Sequence, residues 1–151
     1  LSQHYGFERC FQKTVGVVER AGGDAELLRS MRNQCEALPR FIGHGDLSRP
    51  NMAQGALLLD WDNFGFYPPG FDLALAAVLK GDLLGEEELR QLALSAYEPI
   101  SEHCSFQDFW FSMTFFYSVF LSARKAEHKV SCLKLLERNL AGSSGRAVAF
   151  N

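Results

Sequence analysis

At 151 residues, 47% hydrophobic and 22% charged, the chain is long enough to bury one core, and its charge content is too low for a disordered segment. A net charge of −3 and an isoelectric point near 5.8, with Lys and Arg scattered instead of clustered, argue against a nucleic-acid footprint. The four cysteines, Cys10, Cys35, Cys104 and Cys132, form no CxxC pair, which points away from zinc and from a disulfide framework and toward reduced thiols in a cytoplasmic protein without a secretory leader.

The first expected element is a helix over residues 7–20, which Gly22 and Gly23 terminate, although Thr14, Val15, Val17 and Val18 are β-branched and oppose it. Residues 24–38 carry Leu27, Leu28, Met31, Cys35 and Leu38 at helical spacing, with Asp24 placed to cap the start and Pro39 to stop the end. The segment RFIGHGD, residues 40–46, reads as a short extended stretch entering a glycine-containing loop. Residues 51–60 have room for two short strands around a Gln54–Gly55 turn, and such a hairpin brings Asn51 and Asp60 together.

After the loop PPG, a helix is expected over 72–80 with Asp72 at its start, then another over 86–97 whose first turn is acidic, as the helix dipole favours. Ser105 and Asp108 have capping-box spacing before a helix that is apolar on all faces. Its apolar run, residues 109–123, is shorter than the roughly 20 residues that span a bilayer and is interrupted by Ser112, Thr114, Ser118 and Ser122, so it reads as a core helix and not a membrane segment. A last helix over 130–140 and a small, frayed tail over 141–145 complete a single domain that is mainly α with a small β hairpin.

The residues that carry chemistry lie in HGDLSRPN, residues 44–51, and LLLDWD, residues 57–62. Phosphoryl transfer needs a carboxylate to orient and accept the proton of the attacking hydroxyl, and oxygen ligands for the magnesium that bridges the phosphates. Kinase catalytic loops supply these as HxDxxxxN followed by a strand and a second Asp. His44, Asp46, Asn51 and Asp60 provide each type in that order. The plainer reading is that Asp46 and Asn51 are turn formers, that His44 is a satisfied core histidine, and that Asp72 only caps its helix.

With PPGFDLA following, HGDLSRPN and LLLDWD resemble the aminoglycoside phosphotransferase and choline kinase-like family of small-molecule kinases, firmly over residues 44–77 and loosely over the helical remainder. The resemblance implies the protein-kinase-like C-terminal lobe, part of an α+β fold when complete. By position it makes Asp46 the catalytic carboxylate, Asn51 and Asp60 the magnesium ligands, and His44 and Asp72 supports of the catalytic loop. The cofactors it implies are Mg2+ and ATP or GTP, and the partner is a small-molecule hydroxyl acceptor. Asp62 and Trp61, with Phe64, Phe66 and Tyr67, could offer that acceptor a carboxylate and aromatic faces, unless the rings merely pack the loop.

The chain departs from the family at Ser48, where His or Lys is usual, with Arg49 beside it, and its hairpin is shorter than the family's. Gly45 replaces the arginine of a protein kinase's HRD, and little chain separates Asp62 from Pro68, so a small acceptor is expected and not a peptide. The 43 residues before His44 contain neither GxGxxG nor a VAIK-like strand. The expectation is therefore a C-terminal lobe whose nucleotide-binding N-terminal lobe is missing, with little activity by itself. The alternative is a non-catalytic binding or interaction module derived from such a lobe.

Overall fold

In a computed structural model of the chain, the structure describes residues 5–47, 51–53, 57–79, 83–124, and 134, 135 and 138. Helix α1, Tyr5–Arg20, forms despite its β-branched residues because one face, Phe7, Phe11, Thr14, Val15 and Val18, is buried. It ends where Gly22 turns to φ +73°, with the Gly23 N–H donating to the Val18 carbonyl at 2.9 Å and the Gly22 N–H to Glu19 at 3.0 Å, the paired bonds of a Schellman cap. Helix α2, Ala25–Glu36, starts on the Asp24 carboxylate, which accepts from the N–H groups of Glu26 and Leu27 at 2.9 and 3.1 Å. It stops short of the expected Leu38, because a residue before proline is pushed out of the helical region and the last turn tightens onto Asn33 and Cys35.

Strand β1, Phe41–Gly43, is the extended stretch expected before the glycine loop, and it pairs antiparallel with β4, Gly65–Tyr67, in the register Phe41 to Tyr67, Ile42 to Phe66 and Gly43 to Gly65. The sequence gives no warning of β4, since three residues are too few to show an alternation. Between them, β2, Met52–Ala53, and β3, Leu57–Leu58, form the expected hairpin with Met52 opposite Leu58. Its Gln54–Gly55 turn lies outside the described residues, as do Ser48, Arg49, Cys132 and the tail over 141–145.

Helix α3, Phe71–Leu79, and helix α4, Glu86–Tyr97, follow as expected, although Lys80 lies outside the described residues. Helix α5, Phe106–Arg124, is the centre of the molecule and packs against α1, α2, α3 and α4. Ser105 and Asp108 cap it through the serine hydroxyl, which donates to the Asp108 carboxylate at 2.6 Å and accepts from the Asp108 N–H at 3.1 Å. An aspartate is shorter than the usual glutamate and reaches the hydroxyl in place of the backbone. Every residue from Ser112 to Ser122 is buried, and the hydroxyls of Thr114, Ser118 and Ser122 bond back to carbonyls one turn earlier.

The Phe116 ring sits edge-on to Phe7 and Phe71 at 5.3 and 4.9 Å. Among the described residues no helix is long and apolar enough to cross a membrane. Cys35 and Cys104 are buried thiols and Cys10 is half-buried; desolvation holds all three above the ordinary thiol range. Of the expected last helix, Lys134, Leu135 and Arg138 are described and are helical.

Candidate active site

Strand β1 delivers the chain into His44 and Gly45, where the backbone turns to φ +79°. A β-carbon on residue 45 would overlap the Tyr67 hydroxyl and the Asn63 carbonyl, so the position excludes any side chain, the arginine of HRD included. The loop is fastened from α3. The N–H groups of His44 and Gly45 donate to the two oxygens of Asp72, at 2.6 and 2.9 Å. Asp72 stands in the first turn of α3, where the helix dipole favours a carboxylate, but its hydrogen bonds run to the loop.

The buried His44 ring makes two further ties. Its Nδ1 accepts from the Asp46 N–H at 3.3 Å, which leaves the proton on Nε2 to donate to the Leu59 carbonyl at 2.9 Å. The Asn51 side chain, also buried, donates from Nδ2 to the Asp46 carbonyl at 3.1 Å and to the Asp46 carboxylate at 3.2 Å. The Leu59 N–H donates to the Asn51 carbonyl at 2.8 Å, closing the hairpin. His44, Asp46, Asn51 and Asp72 are thus linked directly, and Asp60 follows one residue after the closure.

Asp60 is exposed and, at φ +57°, is the one non-glycine in the left-handed region among the described residues. Aspartate tolerates that conformation better than most residues, yet it costs of the order of 1–2 kcal/mol. Strain of this kind collects at functional sites. Among the described residues both side-chain hydrogen bonds of Asn51 use its nitrogen, so its amide oxygen is the atom suited to a cation. An amide oxygen and a carboxylate are hard donors, which fit magnesium, an ion that keeps most of its water and needs few protein ligands. No group of three or more His, Cys, Asp or Glu able to hold a metal occurs among the described residues, so an ion here would rest on the Asn51–Asp60 pair.

Trp61 packs against His44 at 4.8 Å and Phe64 at 5.6 Å, and its indole N–H donates to the Leu58 carbonyl at 3.1 Å, yet 52% of it stays exposed. Asp62 is exposed on the following turn. Phe64 and Phe66 are exposed as well, so of the three rings that could pack this loop only Tyr67 is buried. Its hydroxyl donates to the Asn63 carbonyl, and burial, with the Asp72 charge behind it, raises that hydroxyl above the usual tyrosine range. The contacts of Tyr67 and Asn63, and the two Leu59 backbone bonds, had no signal in the sequence beyond the aromatic content of the segment.

A family model described as the phosphotransferase enzyme family matches residues 12–104. No curated protein and no solved structure matches the chain. The matched span runs from α1 to Cys104 and takes in the loop over residues 44–51, the hairpin and Asp72. It covers more than half of the 151 residues, and the chain therefore belongs to the phosphotransferase enzyme family, in keeping with its aminoglycoside phosphotransferase and choline kinase-like motifs.

Proposed function

We propose that these residues form the metal- and acceptor-binding C-terminal lobe of a small-molecule kinase that moves the terminal phosphate of ATP or GTP to a hydroxyl. The observation that supports this reading is the bond from the Asn51 amide to Asp46, together with the Leu59–Asn51 backbone bond, one residue before Asp60. Asp46 takes the hydroxyl proton of the acceptor as its oxygen bonds to phosphorus and the bond to the nucleoside diphosphate breaks. Magnesium bound at Asn51 and Asp60 would offset the phosphate charge. His44 and Asp72 hold the loop so that Asp46 meets the acceptor with little reorganisation.

Asp62 and the exposed rings of Trp61 and Phe64 suit an acceptor that carries an amine or a flat ring. A glycine-rich loop over the phosphates and a strand lysine do not occur in the sequence of these 151 residues, so the chain alone is expected to transfer no measurable phosphate from ATP to small alcohols. The experiment that tests the site is a titration of the chain with Mn2+, which shares magnesium's oxygen preference, followed by electron paramagnetic resonance. Asp60→Ala should weaken binding at least tenfold and leave the thermal midpoint near that of the parent. Equal Mn2+ affinity in parent and variant would overturn the reading and favour a non-catalytic module.

A further inference from the structure

Three glycines of the site face one aromatic ring. A β-carbon on Gly43 would come within 2.9 Å of Tyr67 Cδ2, one on Gly45 within 2.8 Å of Cζ, and one on Gly65 within 3.6 Å of the hydroxyl. Against Tyr67 lies Phe71, stacked at 4.5 Å with an interplanar angle of 15°. The ring is therefore packed between the backbone of the catalytic loop and the residue next to Asp72. Asp72 draws the loop toward α3 through two N–H groups, and the thickness of the Tyr67 ring sets how close it can come.

The hydroxyl has a second duty. It donates to the Asn63 carbonyl, and Asn63 lies with Asp62 on the turn closed by the Phe64 N–H on the Trp61 carbonyl, which the chain enters directly after Asp60. The loop on the other side of the ring carries Asp46, to which the Asn51 side chain is bonded. One side chain thus touches both halves of the site.

We propose that Tyr67 is a positioning residue that fixes the Asp60 half of the ion site against the Asn51 half. This rests on the reading that those two residues share a divalent cation, and it adds a requirement that the reading does not contain. Tyr67→Phe keeps the buried ring and its stacking and removes the hydroxyl that is tied to Asn63. Tyr97→Phe is the matched control, since the Tyr97 hydroxyl donates to the Cys104 carbonyl at 2.7 Å, away from the loop and the turn.

The full chain and these variants, with Asp60→Ala, are titrated with Mn2+ alone, and each thermal midpoint is measured in parallel. Tyr67→Phe should bind Mn2+ roughly three- to tenfold more weakly, the loss of one hydrogen bond that orders the site, while Tyr97→Phe binds as the parent does at a similar midpoint. Parent-like binding by Tyr67→Phe, with Asp60→Ala impaired, overturns the positioning role alone. Weakened binding that merely follows a lowered midpoint, in Tyr97→Phe as in Tyr67→Phe, makes the tyrosine structural and also overturns it. Parent-like binding by Asp60→Ala removes the shared ion and the positioning role with it.

Discussion

Position 45 is where the constraints on the loop meet. Its φ of +79° is open to glycine and costs alanine of the order of 1–2 kcal/mol, and the added methyl would also collide with the Tyr67 hydroxyl and the Asn63 carbonyl. Overpacking of that kind costs typically 1–3 kcal/mol more, because a backbone carbonyl cannot swing aside. Gly45→Ala should therefore destabilise the chain by about 2–5 kcal/mol, read from the urea midpoint at unchanged slope. Gly22→Ala is the comparison: its φ is +73° but nothing lies within 4 Å of the added carbon, so it should lose only the backbone share, about 1–2 kcal/mol. Equal losses at the two positions would show that Tyr67 and Asn63 do not crowd the loop.

Among the elements, α5 decides the fold and was the plainest in the sequence, because a helix apolar on every face has nowhere to go but the core. Phe116 is fully buried and meets the rings of Phe7, Phe71 and Phe115, which belong to α1, α3 and α5 itself. Phe116→Ala should cost about 3–5 kcal/mol by chemical denaturation, and a loss below about 1 kcal/mol would mean that the helices do not close around α5. The start of α2 and the capping of α5 could also be expected, since Asp24 and Ser105 act on atoms a few residues away, whereas α2 ends two residues before the expected Leu38. So could the hairpin, whose strands are separated by three residues. The sheet partner of β1 could not: Phe41 pairs with Tyr67, 26 positions along the chain, and nothing local in Gly65–Tyr67 announces a strand. A similar distance, 28 positions, separates His44 from Asp72, yet there the motif named the pair, and what it could not supply was the geometry, two N–H groups on two carboxylate oxygens.

At the scale of the molecule, apolar surface among the described residues is divided unevenly between a closed interior and an open face on the sheet. The interior is the aromatic cluster around α5, with Phe7, Phe71, Phe115 and Phe116 essentially without solvent exposure. On the sheet, the inward pair Phe41 and Tyr67 joins that core, while the outward cross-strand pair, Ile42 and Phe66, is 67% exposed at both residues. Phe64, two residues before Phe66, continues toward Trp61, whose indole is bonded to the hairpin that carries the exposed Leu57 and Leu59. Large exposed apolar patches mark surfaces that meet a ligand or partner, and a hydrophobic dye reports them in a folded protein. The native chain should therefore enhance the fluorescence of anilinonaphthalene sulfonate. The double change Ile42→Thr and Phe66→Thr should remove most of that signal and shift stability by less than about 1 kcal/mol, since both side chains already face water and threonine suits a strand. A dye signal that survives the double change must come from another part of the molecule, and the outward face of the sheet would then have to be covered in solution.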